Sequence, residues 1–143
     1  MIVLLDTNVW VSSFLNPKGY PAKLKDLWLK DKFSVVISPL IIEEIRSVLR
    51  SSRIRTKYHI ESSEIELFLE LFIPRAITVF PTGKINFCRD VKDNHILEAA
   101  LLGKVEYIIT RDDDIKRDVY LIKEMKSFNV SILSVSQFLK IIL

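Results

Sequence analysis

Five short runs rich in β-branched and other apolar residues, at 2–5, 34–37, 77–80, 107–110 and 130–133, alternate with stretches whose apolar residues recur at helical spacing. Strands separated by helices return to a sheet through crossovers, so this alternation demands an α/β fold with a mostly parallel sheet. The 143 residues, 49% of them hydrophobic, suffice for one packed core and leave no length for two. No Gly/Ser/Pro-rich linker or internal repeat divides the chain, and one domain over 1–143 is expected.

Capping residues place the helices. Pro21 opens one that runs to about Lys30, and Ser38-Pro39 supplies an N-cap and first-turn proline for one to about Leu49. Ser63 with Glu66 resembles a capping box for a helix that ends before Pro74. Asp90 or Asp93 starts a further helix closed by Gly103, and two more are expected over 119–128 and 135–142.

Composition excludes several classes. Cys88 is the only cysteine, so an intrachain disulfide and a thiolate metal cluster within one chain are both ruled out. No apolar run approaches the roughly 18 residues a membrane span requires, and 1–5 is stopped by Asp6 before it could form a secretory leader. A soluble, cytoplasmic protein with no membrane association is expected. The formal net charge of +3 suits a polyanionic partner, and Arg46, Arg50, Arg53, Arg55 and Lys57 crowd 45–60 without an acid. That segment is a candidate phosphate-contacting patch.

In open α/β sheets ligands bind outside the carboxyl ends of the strands, so acids at strand-to-helix turns form a class of their own. Asp6 follows the first strand, where Thr7 and Asn8 can hydrogen-bond locally and hold the turn; a helix cap at the start of a helix near Val9 is its ordinary alternative. In the next helix Ile41, Ile45, Val48 and Leu49 make an apolar stripe with Glu44 on its shoulder, while Glu43 faces Arg46 and Arg50. A carboxylate beside a buried face is costly unless paired or metal-bound, which singles out Glu44. Asp90 and Asp93 precede the helical pattern 95–102, where capping and the helix dipole also favour acids. The strand at 107–110 ends in Arg111 and the aspartates 112–114, of which Asp112 lies nearest the strand. Four turns thus bring a carboxylate to one sheet edge. Clustered oxygen donors suit Mg²⁺ or Mn²⁺, ions that also bind phosphate and assist in-line phosphoryl displacement.

In order and spacing these motifs resemble the PIN-domain family of metal-dependent ribonucleases, especially its branch of toxin components of toxin–antitoxin pairs. Leu4-Leu-Asp-Thr-Asn-Val9 resembles the opening motif and 38–49 the glutamate helix. Arg89-Asp-Val-Lys-Asp-Asn-His-Ile-Leu97 resembles the central acidic motif, and Tyr107-Ile-Ile-Thr-Arg-Asp112 the closing strand. The resemblance implies an α/β/α sandwich around a short parallel sheet, dimerisation, an antitoxin protein as partner, and cleavage of single-stranded RNA. It further implies Asp6, Glu44, Asp93 and Asp112 as catalytic metal ligands, Asn8 and Thr110 as polar supports, and Asp90 and Asp114 as accessory acids. One departure is Arg111, where relatives often carry glycine.

The remaining chemistry-bearing residues have quieter expectations. His59 and His95 are too few and too far apart for a histidine metal site; His95, next to Asp93 and Asn94, is within reach of the acids, but a partly exposed first-turn side chain is the expectation. Trp10 and Trp28 fall in apolar helical patterns and read as core, and Phe68 and Phe72 as a helix contact or dimer surface. Two alternatives to the nuclease stand beside it. An aspartyl phosphatase would use Asp6 as nucleophile but usually needs an aspartate two positions on, where this chain has Asn8. A noncatalytic RNA-binding or assembly protein would use the arginine patch alone.

Overall fold

The computed structural model describes residues 1–84, 94–111 and 118–143. β1 (Ile2–Leu5), β2 (Ser34–Ile37), β3 (Ile77–Thr78), β4 (Tyr107–Ile109) and β5 (Ser131–Leu133) form one sheet in the order β3-β2-β1-β4-β5. Every neighbouring pair is parallel. Val3, Leu4, Val35, Val36, Ile108 and Ile109 are fully buried, as expected for parallel strands covered on both faces, which is why these runs read as continuously apolar.

The described helices are α1 (Thr7–Leu15), α2 (Tyr20–Leu29), α3 (Pro39–Arg50), α4 (Ser52–Tyr58), α5 (Ser62–Phe72), α6 (Asn94–Leu102), α7 (Val119–Ser127) and α8 (Val135–Ile142), with a 3-10 turn at Ile73–Arg75. They flank the sheet in an α/β/α arrangement, with α6 packed on β1 and β2. Gly103 permits that approach: a Cβ there would stand 2.7 Å and 2.8 Å from the two Val36 γ-carbons. An aromatic cluster ties the outer helices together. Trp10 meets Trp28 edge-on at 5.4 Å, and Phe68 lies 5.0 Å from Phe14 and 4.9 Å from Phe72. Both tryptophans are buried, so they are core, and Phe68 and Phe72 serve a helix contact.

Four local expectations are corrected. The capping box of α5 is formed by Glu61 and Glu64, whose Oε1 accepts from Glu61 N at 3.3 Å; Ser63 and Glu66 lie inside the helix. Val48 is 40% exposed, so the buried stripe of α3 is Ile41, Ile45 and Leu49. β3 is shorter than the apolar run suggests, because it is an edge strand followed by Pro81, and Phe80 is left exposed. α4 was not foreseen: it buries no residue, so it writes no apolar period into the sequence. The helix start expected at Asp90 or Asp93 lies outside the described residues, within which α6 begins at Asn94.

Candidate functional site

From the central strand β1, the chain crosses to β2 and β3 on one side and later to β4 and β5 on the other. The strand order therefore reverses between β1 and β4, and the crevice beyond their carboxyl ends is where open α/β sheets bind ligands. Asp6 and Thr110 stand at those two strand ends. Asp6 N donates to Ile109 O at 2.9 Å, continuing the β1–β4 ladder one residue past the strand, and the Thr110 hydroxyl donates to Asp6 Oδ2 at 2.7 Å. Asp6 is only 6% exposed.

Asp6 also caps α1. Its Oδ1 accepts from Thr7 N at 2.7 Å, so capping and site-building coexist in one side chain. Thr7 then links two acids that are 38 positions apart. Its hydroxyl donates to Glu44 Oε2 at 2.7 Å, carrying the connection from the first turn of α1 to the middle of α3. The Glu44 Oε1 atom meets His95 Nε2 from the first turn of α6. Each Glu44 oxygen thus has its own partner. Burial, the largest influence, opposes ionisation of Glu44; the hydrogen bonds from His95 and Thr7, with the positive field of His95, outweigh it and hold the carboxyl below the ordinary glutamate range. The His95 Nδ1 atom is buried and has no hydrogen-bond partner among the described residues.

Asn8 secures the neighbouring turn, its Oδ1 accepting from Arg111 N at 3.2 Å, while the Arg111 guanidinium donates to Ser12 Oγ on α1. On α6, buried Glu98 accepts from Thr82 N, from the Thr82 hydroxyl at 3.0 Å and from Gly83 N at 2.9 Å. It clamps the loop just before 85–93, and Gly83 supplies the left-handed backbone, φ 81°, that the turn needs.

Of the residues singled out from sequence, Asp6, Glu44, Asn8 and Thr110 come together at the switch point. Asp90, Asp93, Asp112 and Asp114 lie outside the described residues. Among those described, no group of three or more His, Cys, Asp and Glu side chains is arranged to hold a metal ion. What the described part offers is a pair of carboxylates joined through Thr7, a donor chemistry that fits a hard divalent cation. The arginines divide into two kinds. Arg46 pairs with Glu43 and, at 2.8 Å, with Glu66, and Arg50 pairs with Glu66 at 2.9 Å. Arg53 and Arg55 project from α4 with no ion pair among the described residues.

His95 is a partly exposed first-turn side chain, as expected, at 13% exposure, and it also takes the alternative of reaching the site, where it engages Glu44. A signal was present. α6 is apolar nearly all round, which marks a buried helix, and a histidine in the first turn of a buried helix has little surface to reach. The reach of Thr7 to Glu44 had no such signal.

A parallel sheet with two linked acids beyond the carboxyl ends of its strands places the chain among the open α/β folds, whose ligands bind at that switch point. Within that class, this chain belongs to the PIN domain family, whose family model matches residues 2–114. PIN domains are generally nucleases. The chain is 35% identical over 113 residues, 79% of its length and 72% of the relative's, to the uncharacterized protein MJ1680 of Methanocaldococcus jannaschii. Its fold matches the crystal structure of VapBC2 from Rickettsia felis bound to a DNA fragment from their promoter, with TM-score 0.60 and 16% identity, covering 94% of this chain and 98% of that one. It also matches FitAcB from Neisseria gonorrhoeae, with TM-score 0.54, 18% identity and the same coverage. No described helix is long and apolar enough to cross a membrane.

Proposed function

We propose that this chain is a divalent-metal-dependent endoribonuclease that cleaves phosphodiester bonds of single-stranded RNA, as one domain over 1–143 and as the toxin of a toxin–antitoxin pair. Asp6, Glu44, Asp93 and Asp112 hold Mg²⁺ or Mn²⁺, with Asp90 and Asp114 accessory. The observation that carries this reading is the Asp6–Thr7–Glu44 linkage at the β1/β4 switch point, which draws together two acids from separate elements. When bound, such an ion activates water and stabilises charge on the phosphoryl oxygens.

The chain's own residues do the positioning. Thr110 and the Thr7 amide fix the two Asp6 oxygens, and Thr7 and His95 fix the two Glu44 oxygens, so neither carboxylate rotates freely. Preorganised carboxylates spend less free energy on orientation when a charged ligand arrives. Asn8 fixes the path of the chain as it leaves β4. Membership of the PIN family supports the nuclease chemistry, and the fold shared with VapBC2 and FitAcB supports an antitoxin protein as partner. Dimerisation and a cytoplasmic location belong to the same proposal.

The deciding experiment incubates wild type and Asp6→Asn with a mixed RNA pool in Mg²⁺, in Mn²⁺ and in chelator. Asparagine retains an oxygen for the α1 cap, so the variant should fold and show the wild-type circular dichroism spectrum. Cleavage is expected from wild type with either metal, none with chelator, and none from Asp6→Asn. Equal cutting by the folded variant, or cutting in chelator, overturns the assignment.

A further inference from the structure

Beside the acids, an open cleft of about 680 Å³ runs along the same sheet edge. Its lining includes Thr110 and Arg111 from the end of β4, Ser12 from α1, Tyr20 from α2, Tyr58 from α4 and Ser134 ahead of α8. Thr110 belongs to both places, since its hydroxyl is bonded to Asp6 while its residue forms one wall of the cleft. We infer that this cleft is the subsite for the RNA segment flanking the scissile bond, with Tyr20 and Tyr58 stacking unpaired bases and Arg111 contacting a phosphate. The inference rests on the ribonuclease reading above.

Several observations select this occupant. Among the described residues the cleft is lined by one charged side chain, Arg111, and by no carboxylate, although Asp6 lies against Thr110, and this lining suits a polyanion. Arg111 has no acidic partner among the described residues, and its guanidinium is held toward α1 by Ser12. Tyr20 is 65% exposed and Tyr58 40%, so both rings at the cleft wall are open to a planar ligand. The Lys57 ammonium lies 5.4 Å from the Tyr58 ring centroid, adding a positive charge at the rim. Tyr58 also ends α4, the helix bearing Arg53 and Arg55, so the cleft continues into the unpaired part of the basic segment. Stacking rings beside cationic groups recognise single strands with little regard to sequence, because every base presents a π-face; a duplex offers no free base to them.

Binding of a fluorescein-labelled single-stranded oligoribonucleotide of about 8 nucleotides, a length such channels accommodate, is measured in chelator for wild type, Tyr20→Ala, Tyr20→Phe and Arg111→Gln. Cleavage kinetics in Mn²⁺ and binding of the same sequence as a duplex accompany it. Tyr20→Ala and Arg111→Gln should each weaken single-strand binding about tenfold, Tyr20→Phe should hold near wild type, and the duplex should bind more weakly. In the kinetics, the loss should fall on KM more than on kcat. Unchanged binding in Tyr20→Ala and Arg111→Gln, an equal loss in Tyr20→Phe, or a duplex bound as tightly overturns the subsite. A wild type that binds through the cleft but never cleaves removes the hydrolytic reading and keeps the cleft, whereas cleavage indifferent to Tyr20 and Arg111 does the reverse.

Discussion

At the scale of single residues, Glu44 makes the most direct claim on solution behaviour. It ionises more readily in the folded chain than an ordinary glutamate, because Thr7 and His95 outweigh the cost of its burial. The native state therefore binds fewer protons than the unfolded chain below about pH 4.5. The contribution of this carboxylate to stability is complete above that range and is lost as pH falls through the folded value. Glu44→Gln cannot titrate, so its stability should fall less steeply in acid than that of wild type. Urea midpoints at about pH 6 and about pH 4 measure this, and an identical loss in both proteins would show that the network does not stabilise the ionised form. Thr7→Val tests the linkage from its other end. It keeps the shape of the side chain but frees one Glu44 oxygen, and metal-dependent cleavage should drop by roughly tenfold to a hundredfold, the scale typical of groups that orient metal ligands. Asp6 and Glu44 were both legible in the sequence, one as an acid closing an apolar run and the other as a charge on the shoulder of a buried stripe. Their joining was not legible, since Thr7 and Glu44 lie 37 positions apart and only the sheet order brings them together.

At the scale of elements, legibility followed burial. β1, β2, β4 and β5, and helices α2, α3, α7 and α8, write apolar patterns and caps into the sequence because one face or both must leave water. α4 buries nothing and β3 lies at an exposed edge, so the first leaves no apolar period in the sequence and the second ends before its apolar run does. The Ser63–Glu66 spacing imitates the α5 capping box, but Glu66 has a different task, reaching Arg46 and Arg50 on α3. The seating of α6 on β2 gives the sharpest test at this level. Gly103→Ala would place a methyl group 2.7 Å from Val36 Cγ2, and both γ-carbons of that β-branched side chain stand in the way. Val36 is fully buried in the sheet and has no free rotamer to yield. Overpacking of this kind costs about 1–3 kcal/mol, so thermal unfolding should move down by roughly 3–10 °C for a chain of this size. Since α6 also carries His95, cleavage should fall with stability. A variant as stable as wild type would mean that the helix sits farther from β2 than the geometry states.

At the scale of the molecule, charge and topology combine into one field. β1 delivers Asp6 to the switch point and α3 brings Glu44 to it, a pairing of negative charge that would repel RNA unless cations compensate nearby. The net charge of +3 is too small to do this by itself, so the location of unpaired arginines decides. Read along the chain, Arg46, Arg50, Arg53 and Arg55 form one patch; in the fold, Glu66 and Glu43 already engage the first two, which leaves Arg53 and Arg55 on α4 as the arginines of that patch with no ion pair among the described residues. Counterion release distinguishes the two groups, because an arginine that is neutralised in the free protein has less to gain from a phosphate. For single strands the dependence of log Kd on log salt changes by about 0.7 per phosphate contact. Replacing Arg53 and Arg55 together by glutamine should therefore reduce that slope by about 1.4, twice the single-contact value. The matching Arg46 and Arg50 double variant should change it less, and it should lose the α3–α5 tie as well. Glu66→Gln should move the other way, releasing Arg50 and leaving Arg46 with Glu43 alone, and so tightening RNA binding at low salt. Equal slopes for the two double variants would restore the undivided patch and remove α4 from its privileged position along the path into the cleft.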